Sequence, residues 1–165
     1  MFRARLAALL ALVAVLVAGL AVARPYIWPD KHGARTSHFA IDSRFVHRSL
    51  GVSVVVPSDA GAGSPLLVYL HGRNGDENSE LRNEPMYKEL AHLGRRAPVV
   101  VFPYGGKAGY WHDRQGGHWA AYVMREVIPE IEARFHTNPK RVAIGGTSMG
   151  GYGAYNIARL NPGHF

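Results

Sequence analysis

The sequence predicts an α/β fold, a mostly parallel sheet with an antiparallel start and helices on both faces. Three observations predict it. Leu66–Leu70, Val99–Phe102 and Arg141–Gly145 are short apolar runs whose length and composition suit strands buried on both faces. Segments of helical period lie between and after them, the alternation that builds a parallel sheet. A glycine-rich stretch, Gly145–Gly153, then joins the last run directly to a small-residue helical segment.

The elements follow in order. The chain has 165 residues, 47% hydrophobic and 19% charged, which suits one domain with a real core. Residues 1–23 stand apart from it. Arg3 and Arg5 precede Leu6–Ala23, an unbroken run of apolar and small residues that closes on Ala21-Val22-Ala23. That is the pattern of a secretory signal peptide with an A-x-A cleavage site. A run of this length also suits an uncleaved anchor, attached to the membrane through the N-terminal segment. There is no cysteine, so no disulfide framework supports an exported chain, and its stability rests on the core. Residues 24–37 read as a polar linker and 38–165 as the α/β domain.

His38–Ile41 and Val52–Val56 carry the β-branched and aromatic content of strands and are expected to join through Leu50-Gly51. Asp59–Pro65 is a loop by its Gly, Ser and Pro content. The strand at Leu66–Leu70 runs into His71-Gly72-Arg73-Asn74-Gly75, a loop signal, and Leu81–Leu93 reads as helix. Val99–Phe102 is a strand fenced by Pro98 and Pro103. Trp119–Phe135 is the clearest helix, because Trp119, Val123, Val127, Ile131 and Phe135 recur every four residues as an apolar stripe. Pro129 predicts a kink in it, since proline removes a backbone donor and crowds the preceding turn. Thr137-Asn138-Pro139 turns the chain into the strand at Arg141–Gly145, and a last helix runs from about Gly150 to Leu160.

Composition excludes several function classes. The formal charge is +7, but the basic residues are scattered along the chain and no nucleic-acid motif accompanies them. They read as a solvated surface, with no nucleic-acid partner. Gly105-Gly106 and Gly116-Gly117 punctuate turns and belong to no phosphate-binding loop. His112, Asp113 and His118 match no standard metal spacing, so no metal is assigned.

One motif carries chemistry. Gly146-Thr147-Ser148-Met149-Gly150 reads G-x-S-x-G between a strand and a helix, the setting in which a serine becomes a nucleophile. A serine hydroxyl is weakly nucleophilic and must be thrust out of the sheet edge beside backbone amides. The tight turn that does this strains the serine backbone by about 1–3 kcal/mol. It also crowds the residues two before and two after, where Gly146 and Gly150 stand. The competing reading is a glycine-rich turn whose serine caps the following helix.

An oxyanion formed at Ser148 would be held by the amide of Met149 and by one from the upstream glycine loop, assigned to Arg73 with Gly72 as alternative. His71 reads as a shaper of that loop and not as the base, because such enzymes place their histidine after the serine. Tyr110–Arg114 follows a strand at the pocket end of the sheet. Trp111, His112 and Asp113 are therefore candidates for a substrate loop, with local packing of Trp111 as the equal alternative.

With these pieces in place, Leu66–Phe165 resembles the esterase branch of the α/β-hydrolases. That branch holds esterase D-type S-formylglutathione hydrolases, feruloyl and acetyl-xylan esterases, and bacterial mycolyltransferases. The matching segments are Leu70-His71-Gly72 with Asp76-Glu77-Asn78, Val100–Pro103, Trp119 through Pro129-Glu130, and Ile144–Ala154. Ile41–Ser43 to Val54–Pro57 is similar to the branch's opening strands. The resemblance implies the N-terminal part of an α/β-hydrolase fold and an acyl-serine mechanism on esters or thioesters. It implies no cofactor, and a small-molecule or polysaccharide-linked ester as substrate. Acyl transfer to a sugar is the alternative within the class.

Such enzymes complete the triad with an acid and then a histidine after the serine. No Asp or Glu follows Glu132, and the only histidine after Ser148 is His164, at the far end of the last helix. At about 1.5 Å rise per residue, that end lies some 15–20 Å from the serine. The sequence therefore predicts a nucleophile and an oxyanion hole whose acid and histidine belong to a longer chain. A non-catalytic remnant or binding protein is the alternative from a different class.

Overall fold

The computed structural model describes residues 2–165. An N-terminal helix, α1 (Phe2–Ile27), precedes the sheet, and its leucines and valines, such as Leu10, Val15 and Leu16, stand exposed. Met1 and the side chain of Arg3, both part of the expected leader, lie outside the described residues. Among the described residues no helix is long and apolar enough to cross a membrane. The leading apolar run takes in Ala7 and Ala8, whose side chains are also outside them.

The first two strands are longer than the sequence indicates. β1 (Arg35–Ser43) and β2 (Arg48–Val56) pair antiparallel along their whole length, from Arg35↔Val56 to Ser43↔Arg48. The expected linker is correspondingly shorter, with helix to Ile27 and strand from Arg35. The turn between the strands is Arg44–His47 and not Leu50-Gly51, which sit inside β2. Ser43 makes this turn, its hydroxyl accepting from the amides of Phe45 (3.2 Å) and Val46 (3.1 Å).

β3 (Leu66–Leu70) leads through a loop to α2 (Glu84–Leu93), which Asn83 caps by accepting from the Met86 amide. β4 (Val99–Pro103) follows. A small hairpin, β5 (Asp113–Arg114) and β6 (Gly117–His118), is new relative to the sequence reading, being too short for any periodicity to reveal it. The predicted helix from Trp119 to Phe135 is continuous but changes gauge. α3 (Trp119–Tyr122) passes through a wide π-turn, Val123–Val127, into α4 (Ile128–Phe135). The amide of Ile128 reaches back five residues to the Val123 carbonyl. This widening one turn ahead of Pro129 makes room where the proline ring would otherwise meet a carbonyl. β7 (Val142–Gly146) and α5 (Met149–Leu160) complete the chain.

The five longer strands form one sheet in the order β1-β2-β4-β3-β7. β3 pairs parallel with both β4 and β7, while β1–β2 and β2–β4 are antiparallel. Strand alternation then sorts the side chains. Val52, Val54, Leu66, Val68, Leu70, Val99 and Val101 pack under α3, α4 and α5. Val55, Val100 and Phe102 face Tyr87 and Leu90 of α2 on the other side. Helices therefore cover both faces, as expected, and the parallel strands β3, β4 and β7 all end at one rim of the sheet.

Candidate active site

Ser148 stands at that rim, between the end of β7 and the first turn of α5. Its backbone, at φ 52° and ψ −114°, lies in a region that non-glycine residues avoid. Its side chain is exposed and makes no capping bond to α5. The bland alternative, a serine retained as a helix cap, is therefore not what the geometry shows.

The glycines on either side are dictated by contact. A Cβ on Gly146 would sit 2.5 Å from the Leu70 carbonyl oxygen and 2.6 Å from the Gly150 carbonyl carbon. A Cβ on Gly150 would sit 2.5 Å from the Leu70 carbonyl carbon and 2.8 Å from the His71 oxygen. The turn is thus pressed directly onto the end of β3. The Thr147 amide donates to the Leu70 carbonyl (3.2 Å), and the Tyr69 hydroxyl bonds the Thr147 hydroxyl, so β3 pins the turn from two sides.

The loop after β3 abuts the same turn. A Cβ on Gly72 would lie 3.3 Å from the Thr147 oxygen and 3.6 Å from Ser148 Cβ. Neither the Arg73 amide nor the Met149 amide donates to an acceptor among the described residues. Met149 opens α5, so its amide is one of the helix's free first-turn donors.

His71 sets the loop's direction. Its Nδ1–H donates to the Gly72 carbonyl (2.7 Å), and its Nε2 accepts from the Gly105 amide (2.9 Å). Both ring nitrogens are committed to backbone, which removes His71 as a base. In a trans peptide the carbonyl and the following N–H point oppositely. Holding the Gly72 carbonyl therefore fixes the direction of the Arg73 amide, and His71 is a positioning residue. Burial pushes its imidazole below the ordinary value, against smaller opposing effects of the Gly72 carbonyl, Asp76 and Glu77.

Of the three candidate substrate-loop residues, Trp111 takes the packing alternative, Asp113 caps a helix, and His112 reaches the rim. Trp111 is fully buried at 0% exposure, its indole N–H donating to the His71 carbonyl (3.2 Å) and its ring packed on Gly105 and Gly153. It joins three segments and faces no open pocket. Asp113 Oδ1 accepts from the amides of Ala120 (2.9 Å) and Ala121 (3.1 Å), so it caps α3 from the hairpin. Only His112 turns toward the rim, where its ring meets that of Tyr152. Tyr152 was missed in the sequence, although its position four residues beyond Ser148 on a helix was the available signal. His164 packs on Phe165 and lies near Glu132, a carboxyl raised by burial and lowered to a lesser degree by that histidine.

An exposed, strained serine at a strand–helix junction, with two free amides beside it, has the makings of an acyl-transfer centre. The chain is also similar to known esterases and hydrolases. An esterase of Mycobacterium tuberculosis is 30% identical over 146 residues, which span 82% of this chain and 32% of that protein. S-formylglutathione hydrolase of Mus musculus is 37% identical over 137 residues, or 68% of this chain and 48% of the relative. The solved S-formylglutathione hydrolase from Agrobacterium tumefaciens matches with a TM-score of 0.73 at 25% identity, covering 81% of this chain and 56% of that one. The chain thus spans between a third and somewhat over half of the length of these proteins. The family model described as "Putative esterase" matches residues 43–165, and the chain belongs to this Esterase family of α/β-hydrolases.

Proposed function

We propose that this chain carries the nucleophile and oxyanion hole of a serine esterase, and the backbone of Ser148 is the observation that carries the reading. A non-glycine residue held at positive φ, without a capping bond and open to solvent, costs stability and contributes none to the turn. In this proposal Ser148 Oγ attacks the ester carbonyl carbon and the carbonyl electrons move onto oxygen. The amides of Met149 and Arg73 hold that oxyanion. Collapse expels the alcohol and leaves an acyl-serine, which water then cleaves to the acid. No metal or organic cofactor takes part in these steps. A general base must reach Oγ. None of the described residues bonds to it, and we assign the base to the part of the relatives' length that this chain does not span. The exposed leucines and valines of α1 support delivery to the cell envelope, as a cleaved leader or a retained anchor.

The test is labelling of the polypeptide in its native cells with a fluorophosphonate, followed by mass spectrometry of the tryptic peptide 142–159. The expected adduct is on Ser148 and disappears in Ser148→Ala. An esterase-active polypeptide labelled elsewhere, or left unlabelled, would overturn the assignment.

A further inference from the structure

A second group of polar side chains gathers where β4 ends, and the chemistry above does not use it. β2 runs antiparallel to β4, so its first residue, Arg48, stands on the side of the sheet where β4 finishes. There a cleft of about 340 Å³ opens between Arg48, the loop after β4 and the turn of the β5–β6 hairpin. That volume is at the small end of ligand pockets, which run from about 300 to 1,000 Å³. Arg48, Lys107 and Arg114 line it together with Gln115 and Trp119, and no acidic residue does. Arg48 comes from far upstream of the other two cations, so only the fold brings the three charges together.

The cleft is built of donors that lack acceptors. Among the described residues none of Arg48, Lys107 and Arg114 pairs with a carboxylate. Asp113, next to Arg114 in the chain, gives its Oδ1 to the amides of Ala120 and Ala121 instead. The Arg114 guanidinium donates to the Ala108 carbonyl (2.7 Å), which lays it over the loop and leaves its remaining N–H groups for another acceptor. Trp119 is only 5% exposed, yet its indole N–H has no acceptor among the described residues. An indole buried to that degree ordinarily finds one. Gly106 and Gly109 seat the loop on this ring, since a Cβ at either position would stand 3.1 Å from it. Three like charges and an unpaired indole N–H in one depression cost stability unless something negative meets them.

We propose that this cleft is a binding site for a phosphate group. A terminal phosphate carries about −1.5 to −2 charge and three strong acceptor oxygens, enough to meet two guanidinium groups, an ammonium and an indole N–H from different sides. Guanidinium groups match pairs of phosphate oxygens, and lysine adds a point charge. A carboxylate brings one charge and two oxygens in a plane, and leaves part of the donors unmet. Free phosphate and a small phosphate ester offer the same group. The Asn74 amide donates to the Lys107 carbonyl (2.9 Å), so the cleft borders the loop after β3. None of its residues takes part in the acyl chemistry, and the site stands whether or not Ser148 is the nucleophile.

The test is calorimetric titration of the full chain with inorganic phosphate, glycerol 3-phosphate and acetate. It is run in about 0.15 M chloride, which screens exposed charges beyond about 8 Å. The expected result is saturable one-site binding of the phosphate compounds and markedly weaker binding of acetate. Tighter binding of glycerol 3-phosphate assigns the site to a phosphate ester, and equal or weaker binding assigns it to the free ion. Arg114→Gln and Lys107→Gln should each weaken phosphate about 10-fold, the worth of one charged hydrogen bond. The exposed Lys107 side chain bonds to nothing among the described residues, so its loss leaves the fold intact, and circular dichroism checks this. Arg95→Gln removes an equal charge outside the cleft and should leave the affinity unchanged. No saturable binding, acetate bound as tightly as phosphate, or an equal loss in Arg95→Gln overturns the site.

Discussion

Ser53 and Ser148 occupy two regions of one sheet, and by neighbouring residue types Ser53 looks the better nucleophile. Its Oγ lies 3.1 Å from His38 Nδ1 and donates to Asn78 Oδ1 at 2.9 Å, a serine–histidine–asparagine cluster. Among the described residues no side chain bonds the Ser148 hydroxyl. Yet Ser53 is at 0% exposure in the middle of β2, with its proton spent on Asn78, so His38 must donate to it and cannot take its proton. Ser148 is exposed on a strained turn with two free amides nearby. The difference teaches that access and backbone strain, and not a histidine at bonding distance, single out Ser148 as the proposed nucleophile.

The hardest way to break the comparison is at the turn itself. Gly150→Ala puts a methyl group into the carbonyl end of β3, where only backbone can yield. The expected cost is about 3 kcal/mol or more, at the upper end of overpacking effects. Urea denaturation measures it, and loss of fluorophosphonate labelling of the native polypeptide should accompany it. A Gly150→Ala protein of unchanged stability would mean that the turn is not pressed onto Leu70 as described.

The two serines should then move stability in opposite directions. Ser53→Ala strands Asn78 Oδ1 and the His38 N–H, and costs about 1 kcal/mol, the net worth of a typical hydrogen bond. It should leave labelling intact. Ser148→Gly removes the strain of a non-glycine residue at φ 52°. After the entropy that glycine adds to the unfolded chain, a gain of about 1 kcal/mol is expected while labelling is abolished. Equal destabilisation by both substitutions in denaturant titrations would remove the distinction drawn between the two regions.

What could be read in the sequence follows the same division between local pattern and tertiary contact. Leu66–Leu70 was legible to the residue, because a strand buried on both faces is an unbroken apolar run. The G-x-S-x-G turn was legible because its glycines answer a local crowding that any such turn imposes. The reach of β1 to Arg35 was hidden, since pairing with Val56, 21 positions away, and not composition extends it. The π-turn before Pro129 was hidden too, for apolar residues spaced four apart fit an α-helix as well as a helix with one widened turn. Which alternative holds at Trp111, and the capping role of Asp113, were hidden for a similar reason: their partners, the His71 carbonyl and the first turn of α3, are brought to them by the fold. His71 was placed correctly as a loop shaper, but its two backbone bonds could be seen only in three dimensions.

The smallest expected effect, and the finest test of how the Ser148 region is held, comes from His71. Its imidazole is buried and its proton affinity is lowered, chiefly by that burial, with the Gly72 carbonyl, Asp76 and Glu77 offsetting part of the shift. The folded state thus binds the proton less readily than the unfolded chain, whose histidine titrates near its ordinary value of 6.5. Between the two values the unfolded chain holds more protons, so stability rises with pH there. The contribution is complete above about pH 6.5 and is lost as pH falls through the lower folded-state value. Protonation would also turn Nε2 into a donor facing the Gly105 N–H, two donors in opposition, and loosen the clamp on the Gly72 carbonyl that aims the Arg73 amide. Acid should therefore loosen the turn at the end of β3 as the His71 ring takes up its proton below 6.5. NMR titration of the His71 ring should give a midpoint below 6.5, with fluorophosphonate labelling of the native polypeptide declining over the same range. A midpoint at or above 6.5 would mean that the ring is not held neutral between Gly72 and Gly105, and the loop after β3 would need another support.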